Sequence, residues 1–393
     1  MADMNNIVRC PYTDVKIPEN QSFYDRVFQR VREFPRKIAI VDGISGRSYT
    51  YTELINAVEC VGSAFIKLGF TKGDILCLYG PNSIEWAITF FAVLAIGGIA
   101  TSANPLYTTY EIQHQLKDAN ATYIATPIEL VSKVKQAAKK YTKLKKIIVF
   151  GNGDMSDCIC FNALLSDKGD AFKLPTINAK EDIAVLPYSS GTTGLPKGVM
   201  LTHFNLVANI QQLRGTPYFL PTLIGDCHIA VLPFFHIYGQ VIILAGGLCE
   251  GATIVTMPRF NAEQYLSVIQ KYKATRLYVA PPVMLFFAKD PMIEKYDLTS
   301  VRDIFSGSAP LSKELQMAVE SRLKCTIIQG YGMTELSPGC HFSPIKGWKY
   351  GSVGICLPNT ESKVIDIDTG IALGPHIDGE VCVRGPQVMK GYL

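Results

Sequence analysis

The 393-residue sequence has little surplus charge, with 38 basic residues against 34 acidic ones. A net charge of +4 is too small to indicate nucleic acid or an anionic membrane as the main partner. One basic cluster, residues 133–146, places its lysines between apolar residues. This pattern is typical of a solvated helix face, and a membrane-surface or polyanion patch is the alternative.

The sequence also lacks paired cysteines of the kind that hold zinc. Its eleven cysteines contain no CxxC pair, and Cys158 and Cys160, the closest two, have no histidine at zinc-ligand spacing. We therefore expect reduced thiols. The N-terminus shows no secretory pattern, so an intracellular location, cytoplasmic or peroxisomal, is the expectation.

Long apolar runs are rare, and the longest needs an explanation. Residues 86–103 carry no charge over a length that could span a membrane. Gly97 and Gly98 interrupt this run, and residue 99 begins a strand-like pattern. A buried helix, a turn and a strand fit better than a membrane span, and the shorter run 238–249 is interpreted in the same way. No transmembrane segment is expected.

Strand-like and helix-like segments alternate along most of the chain. A helix is predicted to begin at a cap on Thr52 and to end at Gly69. Short apolar strands are predicted at residues 37–42, 75–79, 99–102, 121–125, 147–150, 183–186, 229–232, 253–256, 277–280, 303–305 and 326–328. Such strands between helices predict parallel sheets covered on both faces. The prediction is an α/β fold of two αβαβα sandwich subdomains, approximately residues 1–187 and 188–340, followed by a small β-rich module over 341–393.

The segment from Tyr188 to Gly198 is rich in groups that bind phosphate. After a predicted strand it places four hydroxyls, three glycines and Lys197 within ten residues. Glycine lets backbone N–H groups approach an anion, hydroxyls donate hydrogen bonds and the lysine supplies charge. The segment is not a Walker A loop, because Pro196 stands five residues after Gly191 where that motif requires glycine. A surface turn is the structural alternative.

Two further segments follow predicted strands, where ligands bind in open parallel sheets. In residues 329–335, Tyr331 could stack on a base, Thr334 could bind a phosphate, and Glu335 could bind Mg²⁺. In residues 233–239, His236 stands among aromatic residues. A single histidine is often structural, but its place at a strand end favours a site residue.

Five motifs in order resemble the adenylate-forming superfamily: YSSGTTGLPKGVMLTH, LPFFHIYG, SGSAPLS, QGYGMTE and GEVCVRG. They are most similar to the acyl-CoA ligase branch, which contains the 4-coumarate–CoA ligases and luciferases, over about residues 12–393. The resemblance implies an AMP-binding domain, incomplete at its C-terminal end, whose last module is β-barrel-like. It also implies an AMP-forming acid–thiol ligase that converts a carboxylic acid and ATP into an acyl-adenylate and passes the acyl group to coenzyme A.

The resemblance further implies roles for individual residues. Lys197, His236, Thr334 and Glu335 would be catalytic, with Glu335 binding Mg²⁺ and His236 beside the reacting carboxylate. The nucleotide and its phosphates would contact Ser189, Ser190, Gly191, Thr192, Thr193, Gly194, Lys197, Ser308, Ala309, Pro310, Gln329, Gly330, Tyr331, Gly332 and Thr334. The acyl pocket would be formed by His236, Tyr238, Gly239, Gly307 and Gly330, with Gly339 and Cys340 at its far wall.

The sequence departs from the family pattern at its end. The resemblance implies that, in this family, the point reached at Leu393 precedes the motif that binds the ribose and the small C-terminal domain whose lysine stabilises the reacting oxygens. We therefore expect impaired adenylation by this chain, with a non-catalytic nucleotide- or acyl-binding form as the alternative. By the resemblance, the small Gly339 and Cys340 would lengthen the acyl pocket and Tyr238 would line a phenolic one, so aromatic and fatty acids both stay open.

Overall fold

A computed structural model describes residues 6–151, 156–189, 196–215, 219, 221–345, 347 and 349–393. The strands are β1 (Val8–Arg9), β2 (Ile38–Asp42), β3 (Ser48–Thr50), β4 (Ile75–Tyr79), β5 (Ile99–Ala103), β6 (Tyr123–Pro127), β7 (Lys146–Phe150), β8 (Ile159–Cys160), β9 (Ile183–Ser189), β10 (Lys197–Thr202), β11 (Cys227–Ala230), β12 (Thr253–Thr256), β13 (Arg276–Val279), β14 (Asp303–Ser306), β15 (Thr326–Gly332), β16 (Gly339–Phe342), β17 (Ile355–Cys356), β18 (Glu361–Ile365), β19 (Glu380–Arg384) and β20 (Gly391–Tyr392).

The α-helices are α1 (Phe23–Phe28), α2 (Tyr51–Lys67), α3 (Ile84–Ala95), α4 (Thr109–Asp118), α5 (Val131–Ala138), α6 (Phe161–Leu165), α7 (His203–Arg214), α8 (Gly246–Cys249), α9 (Ala262–Tyr272), α10 (Pro281–Lys289) and α11 (Lys313–Leu323). A π-helix spans Tyr238–Ala245, and 3₁₀ turns span Val31–Glu33, Ile128–Leu130, Pro291–Lys295 and Thr334–Leu336.

Most strands belong to two large sheets. The first sheet has the order β20-β10-β9-β5-β4-β6-β7-β8, and the second has the order β17-β16-β15-β14-β13-β11-β12-β2-β3. The central strands of both are parallel, whereas β10 and β20 in the first sheet and β3, β16 and β17 in the second run antiparallel to their neighbours. The predicted α/β class is confirmed.

Sheet membership differs from the division predicted at residue 187. The early strands β2 and β3 join the second sheet, because β2 pairs in parallel with β12. The later strand β10 joins the first sheet, because it pairs with β9, which itself pairs with β5. The hydrophobic pattern indicated the strands, but these pairings are long-range and have no local signal.

The helices form layers on both faces of the sheets. One large core contains α3 together with apolar residues of both sheets, so α3 lies between them. A second core packs α9, α10 and α11 on the outer face of the second sheet. A third packs α4 and α5 on the outer face of the first sheet. Asn82 links the layers by donating to the carbonyls of Ala230 (3.0 Å) and Leu232 (2.9 Å).

Local sequence signals explain several helix ends. The α2 helix begins two residues earlier than predicted, because Thr50 rather than Thr52 is the N-cap and forms a capping box with Glu53. Gly69 follows the helix with φ of +83°, as its C-terminal role requires. The apolar run 86–103 is a buried helix, a turn and a strand, as predicted. Within the described residues, no helix is long and apolar enough to cross a membrane.

The predicted third module is smaller than a barrel. Strand β18 pairs antiparallel with β19 on one side and with the N-terminal β1 on the other. The described residues therefore show a three-stranded sheet and no closed barrel. The other late strands join the two large sheets: β17 extends the second sheet and β20 extends the first.

Candidate active site

A cleft of about 400 Å³ opens where the two sheets face each other. The second sheet supplies one wall from the C-terminal ends of β14 and β15, and the β9–β10 hairpin of the first sheet supplies the opposite wall. The cleft is lined by Tyr107, Tyr188, Ser189, Pro196, His236, Tyr238, Ile242, Phe305, Ser306, Gly307, Ser308, Gly330, Tyr331, Gly332, Met333, Thr334, Glu335, Pro338, Gly339 and Phe342. Its position matches the rule that ligands bind at the carboxyl ends of parallel strands.

Glu335 is the polar centre of this cleft. The hydroxyls of Ser189 and Tyr392 both donate to its Oε1, at 2.9 and 3.0 Å. The backbone N–H of Met389 donates to the carbonyl of Glu335 at 2.8 Å. Within the described residues nothing donates to Oε2. The two hydroxyls on Oε1 therefore fix the carboxylate group and leave Oε2 available for a cation.

The neighbouring Thr334 presents a hydroxyl to the same part of the cleft. The residue is 8% exposed, and its side chain makes no hydrogen bond to any residue that the structure describes. Its oxygen is not sealed from solvent, so it can donate from the cleft wall to a ligand such as a phosphate oxygen.

Tyr331 offers its ring at the open side of the cleft, where the residue is 38% exposed. Its backbone carbonyl accepts from the thiol of Cys340 at 3.4 Å. Beside it, Gly332 lies so close to the next strand that a Cβ would stand 2.0 Å from the carbonyl oxygen of Pro338. Only glycine allows β15 to approach the chain at Pro338 this closely, and the edge of the cleft beside the Tyr331 ring is therefore narrow.

The loop after β14 forms the floor of the space beside the Tyr331 ring. Ser308 has a left-handed backbone, with φ of +70°, and lines the cleft, whereas Ala309 and Pro310 are exposed and do not line it. Gln329 is buried and points away from the cleft, where its Oε1 accepts from Leu311 N–H at 3.3 Å. Gln329 therefore holds this loop in place instead of contacting a ligand in the cleft.

His236 projects into the cleft from the segment between β11 and the π-helix. Its Nδ1 accepts from the backbone N–H of Tyr238 at 3.3 Å. Desolvation by the surrounding protein lowers the pKa of His236 from its ordinary value, so the ring is neutral at pH 7. Since Nδ1 accepts, the proton of the neutral ring is on Nε2, which is then a donor.

The inner end of the cleft is apolar. Ile242, Phe305 and Phe342 line it beside Tyr238, whose hydroxyl donates to the carbonyl of Phe305 at 3.5 Å. Burial raises the pKa of Tyr238 well above its usual range, so the phenol stays protonated. An acyl body fits this end better than a phosphate does.

The glycines of the predicted acyl pocket have different positions. Gly307, Gly330 and Gly339 line the cleft. Gly239 does not, and it is needed because a Cβ would stand 2.1 Å from the carbonyl oxygen of Pro233. Cys340, predicted at the far wall, does not line the cleft, since its buried thiol donates to Tyr331 O at 3.4 Å and lies 3.2 Å from Nδ1 of His341.

Lys197 begins β10 beside the cleft and is not among the residues that line it. Its Nζ lies 5.3 Å from the centroid of the Tyr392 ring, within the range of a cation–π contact. Ser190, Gly191, Thr192, Thr193 and Gly194 of the predicted phosphate loop lie outside the described residues.

Three tyrosines of the site were missed by sequence reasoning. Tyr107 and Tyr188 line the cleft, and Tyr188 donates to Oδ2 of Asp118 at 2.6 Å. Tyr392 reaches Glu335 because β20 pairs antiparallel with β10, which places Tyr392 opposite Val199. Tyr188 stands inside the phosphate motif and could have been found, whereas the position of Tyr392 depends on a pairing almost 200 residues away in sequence.

Comparisons with known proteins agree with this geometry. A family described as "AMP-binding enzyme" matches residues 27–393. The 4-coumarate–CoA ligase 1 of Petroselinum crispum is 39% identical over 396 residues, which cover 98% of this chain and 72% of that protein. The probable 4-coumarate–CoA ligase 1 of Dictyostelium discoideum is 36% identical over 397 residues, covering 97% of this chain and 72% of that protein.

Solved structures show the same fold. The anthranilate CoA ligase AuaEII, in complex with anthranoyl-AMP, superposes with a TM-score of 0.89 at 26% identity, covering 96% of this chain and 72% of that one. A long-chain-fatty-acid–CoA ligase from Archaeoglobus fulgidus superposes with a TM-score of 0.87 at 27% identity, covering 98% of this chain and 78% of that one.

Proposed function

Because the chain belongs to the AMP-binding enzyme family of the adenylate-forming superfamily, we propose that it joins a carboxylic acid to the α-phosphate of ATP. Pyrophosphate leaves, and coenzyme A then takes the acyl group as a thioester. The observation that carries this proposal is the cleft in which Tyr331, Thr334, Glu335 and His236 converge. The free thiols of all eleven cysteines suit a reducing compartment, cytoplasmic or peroxisomal.

In this proposal the nucleotide binds along the second-sheet wall. The adenine stacks on the exposed ring of Tyr331, with Ser308 and the backbone at Gly332 beside it. The hydroxyl of Thr334, which has no hydrogen-bond partner among the described residues, donates to the α-phosphate, and a hydrogen bond to a charged group is among the stronger ones. Phosphoryl transfer depends on such positioning and charge stabilisation.

Mg²⁺ fits the residues present. Oε2 of Glu335 is a hard oxygen that faces the cleft, and the two hydroxyls on Oε1 fix the orientation of the carboxylate. One protein carboxylate together with substrate phosphates is a common way to bind Mg²⁺. The ion would neutralise charge on the phosphates. Lys197 would act on the pyrophosphate from the first-sheet wall.

His236 would orient the reacting carboxylate. The neutral ring directs its Nε2–H toward a group in the cleft, while the Tyr238 N–H fixes the ring through Nδ1. A neutral donor holds a carboxylate without taking the negative charge that the attack requires. The apolar side chains of Ile242, Phe305 and Phe342 would receive the acyl body, which could be aromatic or aliphatic.

The test is binding by this chain, followed by formation of the adenylate. We expect AMP to bind by titration calorimetry, and an acid from an aromatic and fatty panel to form acyl-AMP with ATP and Mg²⁺ in single turnover. Thr334→Val should weaken AMP binding by roughly tenfold, because a hydrogen bond to a charged phosphate is lost. Glu335→Gln should leave metal-free AMP binding intact and remove the gain that Mn²⁺ gives to ATP binding.

Absence of AMP and ATP binding by the wild-type chain would contradict the proposal. So would binding that Thr334→Val and Glu335→Gln both leave unchanged, because the nucleotide would then lie elsewhere.

A further inference from the structure

A second, smaller cavity of about 60 Å³ lies directly behind the apolar end of the cleft. The two cavities share the side chains of Ile242, Phe305 and Phe342, which form the partition between them. A water molecule occupies about 10–15 Å³ of such space, so this inner chamber has room for a group of several heavy atoms. Unlike the cleft end in front of it, the inner chamber contains charged residues.

One of its two arginines is fully bound by the protein. Arg276 is 2% exposed and forms a buried ion pair with Asp303. Its Nη1 donates to Thr222 Oγ1 at 2.9 Å, its Nη2 donates to the carbonyl of Pro221 at 3.1 Å, and its guanidinium lies 4.9 Å from the centroid of the Phe305 ring. Arg276 therefore has little capacity left for a ligand.

The other arginine, Arg214, has a very different environment. It is half-buried, and among the described residues its side chain makes one hydrogen bond, from Nη1 to Thr222 Oγ1 at 3.0 Å. No acidic side chain in the described part of the chain forms an ion pair with it. Its Nη2 rests against Gly246, where a Cβ would stand only 2.4 Å away, so the absence of a side chain makes room for the guanidinium.

Glu250, the acidic residue that lines the inner chamber, is engaged elsewhere. Its Oε2 lies 2.7 Å from Nη1 of Arg30, and its Oε1 lies 4.0 Å from Nη2 of Arg26. In the part of the chain that the structure describes, the positive charge of Arg214 is thus left without an ion-pair partner. Its effect reaches the neighbouring His228, whose pKa is lowered by burial first and then by Arg276 and Arg214.

A guanidinium has five N–H donors and keeps its charge in proteins, so a half-buried one with a single neutral acceptor favours an anion. We propose that the inner chamber is a subsite for the far end of the acyl substrate, and that this end carries a negative charge. The substrate class is then an acid with a second carboxylate. The first carboxylate of the substrate reacts beside His236, and the body of the substrate extends past Ile242, Phe305 and Phe342. The second carboxylate then pairs with Arg214.

This inference rests on the proposed function, and its test separates the two. The probes are three acyl-sulfamoyl adenosines, stable mimics of an acyl-adenylate, with the same body and a terminal carboxylate, methyl or hydroxyl group. Calorimetric titration of the 393-residue chain should show the carboxylate probe binding roughly tenfold or more tightly than the methyl probe, because a charge-assisted hydrogen bond is gained.

The matched variants are Arg214→Met, which keeps an apolar stem, and Arg214→Lys, which keeps the charge. We expect Arg214→Met to abolish the preference for the carboxylate probe and to leave the affinity for the methyl probe within about twofold. Arg214→Lys should retain part of the preference, since a point charge replaces the planar fork. Thermal unfolding and the methyl probe together report whether each variant is folded.

Equal affinity of wild type for the carboxylate and methyl probes would overturn the subsite and leave the proposed function standing. Tightest binding of the hydroxyl probe would overturn the claim of a charged end. A preference that survives in Arg214→Met would assign the anion to other residues and also overturn the inference. Failure of all three probes and of AMP to bind would instead overturn the proposed function.

Discussion

The two walls of the cleft are built in different ways. The second-sheet wall consists of the ends of adjacent parallel strands, so Ser306, Tyr331 and Glu335 come together through regular pairing of β14 and β15. The first-sheet wall is the antiparallel hairpin β9–β10 together with β20, which pairs with β10, and its polar groups reach the site through a few long-range contacts. These are Ser189 to Glu335, Tyr392 to Glu335 and Lys197 to Tyr392.

This difference separates two kinds of contribution. The second-sheet wall provides the ligand groups themselves, including Thr334 and the free Oε2 of Glu335. The first-sheet wall orients Glu335 through its two hydroxyls and adds the charge of Lys197. Substitutions in the second-sheet wall should therefore remove binding, whereas those in the first-sheet wall should weaken it.

The largest effect is expected from Gly332→Ala in the second-sheet wall. A Cβ at this position would stand 2.0 Å from Pro338 O and 3.0 Å from Gly339 Cα, so β15 and β16 must move apart beside the adenine slot. Overpacking of this kind costs up to about 3 kcal/mol. We expect AMP affinity, measured by calorimetry, to fall on the order of 100-fold.

The matched control is Gly225→Ala, which makes the same substitution before β11, where a Cβ would meet no atom within 4 Å. Its AMP affinity should equal that of wild type. A Gly332→Ala variant that binds AMP as tightly as the control would show that the second-sheet wall tolerates movement.

A smaller effect concerns acid stability behind the first-sheet wall. His203, which begins α7 after β10, accepts the Phe23 N–H at Nδ1 (3.1 Å), and its burial lowers the pKa to about 4. The unfolded chain binds this proton near pH 6.5, so the folded state loses stability as the pH falls from about 6.5 towards 4. We expect His203 to account for about 2 kcal/mol of the loss in unfolding free energy between pH 7 and pH 5.

Urea unfolding at both pH values measures this loss. His203→Gln, whose amide oxygen can accept from Phe23, should reduce the pH dependence by that amount, whereas His376→Gln at an exposed position should not. Identical pH dependence of His203→Gln and wild type would show that the imidazole does not titrate in this range.

The smallest effect tests the contact between the walls. Tyr392→Phe and Ser189→Ala each remove one hydroxyl from Oε1 of Glu335. Loss of a group that orients a metal ligand weakens metal binding by about tenfold. We expect each variant to lose about that factor in Mn²⁺ affinity, measured by paramagnetic resonance with ATP present, while metal-free AMP binding is retained. Unequal losses, or a loss of AMP binding, would show that the two hydroxyls do not act through Glu335 alone.

Much of the fold could be predicted from sequence, since short apolar strands and their helices follow local periodicity. The predicted class of enzyme, an AMP-forming acid–thiol ligase of the adenylate-forming superfamily, is confirmed. Two residues predicted for the acyl pocket, Cys340 and Gly239, do not line the cleft. Cys340 lies in β16, where neighbouring residues point to opposite sides, and Gly239 lies in the π-helix against the carbonyl oxygen of Pro233, and a motif does not say which residues face a ligand.

The sequence by itself determined the strands, the helix caps and the residue types of the phosphate and nucleotide motifs, because these depend on near neighbours and on side-chain chemistry. The tertiary structure alone decided that β2 belongs to the second sheet, that Tyr392 holds Glu335, and that Arg214 has no ion-pair partner among the described residues. Each of these depends on contacts between residues far apart in the chain, whose pairing is fixed by packing of the whole core.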